Sequence, residues 1–256
     1  LLDTDTREVF AKGNCERIGS EMGAFAMEIH GIQKMTLLDY PEKVACTIFT
    51  ARCNFRCPFC HNASLVTHVD AAAAISEEEV FSFLAKRQGI LDGVCITGGE
   101  PLLQPDIEEF IRKVKELGYQ VKLDTNGSNV LRLRRLVEQG LVDYVAMDIK
   151  NAPDKYGMTI GIEEYDMSNI FQSVDFLMSG DVPYEFRTTV VRQFHKREDF
   201  AAIGRWIKGA KQYYLQSFVD SGDLICPGMK GYTKEIMEQA LEIVKRNIPN
   251  AKLRGV

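Results

Sequence analysis

An α/β fold in which six strand-helix units follow one another is the architecture this sequence predicts, and three observations lead to it. From residue 44 onward, short apolar and β-branched runs alternate with amphipathic segments of helical period. Helix-opening and helix-stopping residues stand at the junctions. The 256 residues are enough for one α/β-barrel-sized domain with a sizeable core. Parallel strands in series need right-handed crossovers, which place the helices outside a parallel sheet. Six strands are too few to close an eight-stranded barrel. A splayed partial (β/α)6 barrel is therefore expected, with an open side that could admit a large substrate. The pattern alone also allows a doubly wound open sheet.

The first strand is expected over Val44-Ala-Cys-Thr-Ile-Phe-Thr50, between Pro41 and a cysteine-rich loop. Ser76 with Glu79 three residues later forms a capping-box start for a helix that runs to Lys86. Gly93-Val-Cys-Ile-Thr97 is the second strand, followed by a helix over 105–117 that Gly118 stops. Further strands are predicted over 120–124, 143–149, 184–191 and 212–218. Their helices follow over 129–138, 168–178, 197–208 and 233–247. Residues 1–26 do not fit the repeat: they are polar, contain glycine and show weak periodicity. We expect them to be a leader, tag or mispredicted extension, with Met27 as the natural start and 27–256 as the folded domain. An ordered arm packed on the barrel is the alternative.

Composition is that of an ordinary globular protein, 45% hydrophobic and 26% charged, with no apolar run long enough to cross a bilayer. With no signal-peptide pattern, a cytoplasmic protein is expected. The net charge of −5 opposes binding to a phosphate backbone. Arg132, Arg134 and Arg135 sit among leucines at helix-like intervals and read as a solvated helix face.

Cys53-Asn-Phe-Arg-Cys57-Pro-Phe-Cys60 carries three thiols in the spacing C-x3-C-x2-C, with no fourth cysteine nearby. Three thiolates on one tight loop suit three corners of a 4Fe-4S cluster and leave one iron open to chelate a substrate. A Cys3His zinc site using His61 is the competing reading. Disulfides are disfavoured by an odd total of seven cysteines and by spacing too tight for separate bridges. Cys15, Cys46, Cys95 and Cys226 are scattered, and Cys46 and Cys95 fall in apolar strands as small buried hydrophobes.

The remaining motifs fall just after predicted strands, where parallel α/β folds carry their ligand sites. Gly98-Gly99-Glu100-Pro101 follows the second strand, and its glycines leave backbone bare for close approach to a ligand. Asp124-Thr125-Asn126-Gly127 ends the third and also reads as a turn with a helix cap. Asp148 and Lys150, two apart at the end of the fourth, share one face. A carboxylate there suits an ammonium or ribose hydroxyls and a lysine suits a carboxylate, although the two also read as a surface ion pair. His195 follows the fifth strand and is expected to face the same mouth.

Together with Lys34-Met-Thr-Leu-Leu-Asp-Tyr-Pro41, Cys57-Pro-Phe-Cys-His-Asn62, Arg187-Thr-Thr-Val-Val191 and Tyr214-Leu-Gln216, these motifs resemble the glycyl radical enzyme activases of the radical S-adenosylmethionine (SAM) superfamily. The likeness is greatest to the compact anaerobic ribonucleoside-triphosphate reductase activating proteins. Residues 62–92 contain no cysteine, so the ferredoxin-like insert of some activases is missing. The resemblance implies a TIM-like partial barrel, the radical SAM core, with a 4Fe-4S cluster on Cys53, Cys57 and Cys60 and with SAM as cofactor. It implies that Phe59 and His61 seat the adenosine. Gly98, Gly99, Glu100 and Asp124 would surround the methionine amino group, and Asp148 and Lys150 the ribose and carboxylate. From the related formate-lyase activase it further implies a monovalent cation near Asp124, Thr125 and Asp148. The implied reaction is reductive cleavage of SAM and formation of a glycyl radical on a partner enzyme, with flavodoxin or ferredoxin as electron donor. No nucleic-acid or membrane partner is expected.

The chain departs from the family pattern at three places. Arg52 and Glu42 stand where relatives carry glycine, so the loop geometry must adjust if those positions need a positive φ. Val219 aligns with a late-barrel histidine, whose contact is either absent or replaced by His195 or Gln216. Activation of a formate-lyase-like enzyme and radical chemistry on a small molecule are alternative activities. A zinc-bearing or electron-carrying module without catalysis is the non-enzymatic one.

Overall fold

The computed structural model describes residues 27–256, and the expected leader with Cys15 lies outside them. Six parallel strands form the centre: β2 (Ala45–Thr50), β3 (Gly93–Gly98), β4 (Gln120–Thr125), β5 (Tyr144–Asp148), β6 (Tyr184–Val190) and β7 (Tyr213–Ser217). The principal crossover helices are α2 (Glu77–Ala85), α3 (Ile107–Glu116), α4 (Val130–Glu138), α6 (Ser168–Ser179) and α7 (Arg197–Trp206), and α8 (Lys234–Lys245) follows β7. Two short helices, α1 (Ala63–Val66) and α5 (Tyr156–Ile160), lie in the loops after β2 and β5.

Two strands were not legible in the pattern. β1 (Ile29–Thr36) pairs antiparallel with β2, and β8 (Lys252–Arg254) adds to β7 in parallel. β1 carries His30, Gln33 and Lys34 and two register shifts, so it shows neither clean alternation nor a continuous apolar run. β8 has three residues, too few to show a period. The sheet runs β1 to β8 in sequence order and stays open between those two strands.

The sheet curls. Gln33 of β1, Thr47 of β2, Cys95 of β3, Asp124 of β4, Asp148 of β5, Arg187 of β6 and Gln216 of β7 all line one cavity, which a flat doubly wound sheet would not allow. The outer helices bury one stripe each. In α3 the stripe is Ile107, Phe110, Ile111 and Val114, at i, i+3, i+4 and i+7. Phe110 is fully buried, and shortening it to alanine should cost about 3–5 kcal/mol. Caps match the sequence: Ser76 Oγ accepts the Glu79 amide, and Asn129 accepts that of Arg132. On the outer surface Arg132 donates to the carbonyls of Leu102 and Gln104 while Arg135 pairs with Glu108, so these arginines serve the fold. No helix among the described residues is long and apolar enough to cross a membrane.

Candidate active site

The cysteine loop leaves β2 with a strained residue. Arg52 has φ 66° and Glu42 φ 61°, the only non-glycine residues with positive φ among those described. The loop has therefore kept the glycine geometry instead of adjusting to the larger residues, at a cost of about 1–2 kcal/mol each. Arg52 partly offsets this with a paired contact to Glu28, its Nη2 standing 2.8 Å from Oε1. The loop then folds on its own polar groups. Arg56 donates to the Cys53 and Phe55 carbonyls, its amide meets the Ile160 carbonyl of α5, and the Cys60 amide meets the Cys57 carbonyl.

Cys53, Cys57 and Cys60 all line the cavity, whose volume is about 430 Å3, a size suited to a small-molecule cofactor. Among the described residues no three His, Cys, Asp or Glu side chains converge on one ion position. A cubane takes each of three thiols at a different iron, so it does not need the thiols to meet at one point. Burial raises all three thiols, Cys53 to about 12 and Cys57 to about 11, so iron loading must displace their protons.

Phe59 and His61 border the same cavity. Phe59 packs on Phe194 with ring centres 5.5 Å apart, and His61 stacks on Phe218 at 5.0 Å and 16°. Asn62 donates to the Gly98 carbonyl and so ties the cysteine loop to the glycine pair. The glycines serve backbone packing more directly than ligand approach. A Cβ on Gly98 would lie 2.3 Å from the Thr50 carbonyl oxygen, and one on Gly99 1.9 Å from that of Arg52. Both still line the cavity.

Glu100 departs from expectation. Its carboxylate is sealed behind the cavity wall, where it accepts from Leu102 N at 3.1 Å, Thr125 Oγ1 at 2.8 Å and Asn126 N at 2.7 Å. It clasps the β3 loop to the β4 loop and does not line the cavity. Burial, partly countered by those donors, pushes it up to about 7.

Five alternating charges cross β4, β5 and β6. Lys122 pairs with Asp124 Oδ1, Arg187 Nη1 lies 2.9 Å from Asp124 Oδ2, Arg187 Nε lies 3.0 Å from Asp148 Oδ1, and Lys150 Nζ lies 2.8 Å from Asp148 Oδ2. Burial works to raise Asp124, but Arg187 and Lys122 outweigh it and hold the carboxyl at about 2. Asp148 is likewise lowered and Lys150 raised, each despite burial. Asp148 and Lys150 are thus an ion pair in the cavity wall, not on the surface. The expected cation donors are all engaged: both carboxylates hold basic side chains, and Thr125 Oγ1 donates to Glu100 while accepting the Gly127 amide. These residues do not fit a monovalent cation.

His195 does not face the mouth. It is fully buried, its Nδ1 accepting the Val191 amide at 3.1 Å and its Nε2 donating to the Lys150 carbonyl at 2.9 Å. Burial lowers its pKa, so it is neutral and braces the strand end that presents Lys150. Gln216 does line the cavity, whereas Val219 is exposed.

The residues that escaped sequence reasoning are Lys122, Arg187, Asn54 and Asn126. The first two are charged residues inside strands of the central sheet, a signal in itself, since buried charge is rarely left unpaired. Asn126 donates to Asn54 Oδ1 at 2.9 Å and to Cys53 Sγ at 3.8 Å, which braces the first cysteine. Its place beside Gly127 concealed that role behind a turn signal.

Comparison with known proteins agrees with this geometry. Residues 47–207 match the family model described as the radical SAM superfamily. The chain is 34% identical over 237 residues to a Methanocaldococcus jannaschii protein that carries the provisional name glycyl-radical enzyme activating enzyme, covering 89% of this chain and 96% of that one. It is 30% identical over 131 residues to the pyruvate formate-lyase-activating enzyme of Clostridium pasteurianum, covering 49% and 53%. Among solved structures, Streptococcus suis SuiB bound to S-adenosylmethionine superposes with a TM-score of 0.63 at 15% identity, covering 80% of this chain and 48% of that one, a likeness of fold. The chain belongs to the radical SAM superfamily, whose members work with a 4Fe-4S cluster and SAM.

Proposed function

We propose that this protein activates a glycyl radical enzyme, and that its partner is an anaerobic ribonucleoside-triphosphate reductase. The observation that carries the reading is the 34% identity to the M. jannaschii protein over nearly the whole of both chains. When bound, the cluster and SAM supply one-electron cleavage of a sulfonium and hydrogen-atom abstraction from a glycine. The chain's residues hold and orient. Cys53, Cys57 and Cys60 would hold the cluster, and Phe59 and His61 would border the adenosine. Gly98 and Gly99 offer backbone groups to the methionine end, Asp148 meets the ribose, and Lys150 meets the carboxylate. Glu100 acts as a positioning residue with Thr125, since its carboxylate is sealed behind the cavity wall, and Asp124 positions Arg187. The apolar Phe59, Phe194 and Phe218 keep water from that end of the cavity.

Residues 27–256 are the catalytic unit in this reading, and one principal core runs from Met27 to Ala251. In this reading a flavodoxin or ferredoxin supplies the electron and the protein works in the cytoplasm. Similarity to formate-lyase-activating enzymes over half the chain supports a second partner class, a formate-lyase-like glycyl radical enzyme.

The test is electron paramagnetic resonance of the anaerobically reconstituted protein mixed with SAM, a reductant and each candidate partner. A doublet radical should arise on the reductase and vanish with Cys57→Ala. A doublet only on a formate-lyase-like enzyme would reassign the partner. Turnover of a small substrate with no partner protein present would sink the activase reading.

A further inference from the structure

Asp124 and Asp148 stand on neighbouring strands, and a single guanidinium joins their carboxylates. Arg187 lies directly opposite Asp148 in the β5–β6 register and reaches past β5 to Asp124 on β4. Each of the four carboxylate oxygens already has a basic partner: Lys122 and Arg187 on Asp124, Arg187 and Lys150 on Asp148. The arginine side chain is only 13% exposed, as is that of Asp124.

We propose that the Arg187 guanidinium takes the position between Asp124 and Asp148 that a monovalent metal ion would otherwise hold, so that SAM binding here needs neither K+ nor Na+. The inference rests on the SAM reading above.

Charge balance supports it. Lys122, Arg187 and Lys150 bring three positive charges and the two aspartates two negative ones, a surplus of one. The carboxylate of SAM would offset that surplus locally, where Lys150 and Arg187 stand. An added metal ion would double it inside a largely buried site, where unpaired charge is costly. Geometry supports it too. A guanidinium has a planar fork whose Nε and Nη donors reach two carboxylates at once, which a spherical ion does without directional preference. Thr125, the third expected donor, has its hydroxyl turned to Glu100.

The experiment measures SAM affinity for the reconstituted holoenzyme by isothermal titration, first with tetramethylammonium as the only added cation. K+ or Na+ then replaces it at constant ionic strength. The wild-type affinity should move by less than about twofold. Arg187→Met should weaken SAM by roughly tenfold or more without metal ion, and K+ or Na+ should recover part of that loss. Arg187→Lys should stay insensitive to the salt. A saturable tenfold gain of wild-type affinity with K+ or Na+ would overturn the proposal, and this arm does not depend on any variant folding. So would an Arg187→Met protein that binds SAM as the wild type does. Absence of SAM binding in every medium would instead remove the SAM reading, and the inference with it.

Discussion

Glu100 and Asp124 are carboxylates at neighbouring strand ends, the first sealed and the second only 13% exposed to the cavity, and the fold treats them in opposite ways. Asp124 lies among Arg187 and Lys122 and is held at about 2. Glu100 has three neutral donors and no cation, and burial pushes it up to about 7. Burial is common to both, so the partner decides the charge. Hydrogen bonds from neutral groups lower a buried acid by less than burial raises it, whereas two cations more than compensate. The consequence is a division of labour. Asp124 keeps a permanent charge that fixes Arg187 in the cavity wall, and Glu100 acts as a clasp between loops.

The sharpest way to break this contrast is to remove the cation. Arg187→Met leaves two carboxylates short of a buried partner and should destabilise the metal-free protein by about 3–5 kcal/mol in urea unfolding. A cost below about 1 kcal/mol would mean that Lys122 and Lys150 alone hold the aspartates.

pH separates the two carboxyls next. Glu100 has a folded value above its ordinary 4.5, so the stability it lends is full below that pH and is lost as pH rises to about 7. Relative to Glu100→Gln, the wild type should therefore lose up to about 3 kcal/mol across that window and nothing beyond it, at a slope of no more than about 1.4 kcal/mol per pH unit. Asp124 contributes with the opposite sign. Its share is present above its ordinary 3.8 and is lost only as pH falls toward about 2. Denaturation curves of the two proteins between pH 4 and 8 (about the range of interest for a carboxyl) measure the difference, and parallel profiles would refute it.

Smaller effects follow away from the charged ladder. Glu100→Ala strands the amides of Leu102 and Asn126 and frees the Thr125 hydroxyl, at about 1–3 kcal/mol. It should loosen the β4 loop, which hydrogen exchange at Asn126 and Gly127 would detect. The smallest change is expected at Arg52→Gly. Relief of positive-φ strain and loss of the Glu28 pair nearly cancel, which leaves a net gain of no more than about 1 kcal/mol in thermal unfolding.

Much of this was open to reading before any coordinates. The six core strands and their helices were visible because each buries one stripe or face, and burial imposes a period on the residues. β1 and β8 were not, because an edge strand with mixed exposure and a strand of three residues impose none. At the site, Cys53, Cys57, Cys60, Gly98 and Gly99 act through spacing or through the lack of a side chain, both of which are local properties. His195 looked similar to a site residue only because position after a strand says where a loop lies and not which way a ring turns.

By itself the sequence determined the strand-helix order, the three-thiol loop and the glycines that let β2 and β3 loops touch, since each depends on residues close together in the chain. Tertiary structure alone decided which charges meet. Arg187 reaches Asp124 across 63 positions, and Thr125 turns to Glu100 across 25. Such pairings depend on strand register and sheet curl, and a buried charge takes its protonation state from the neighbour that folding delivers.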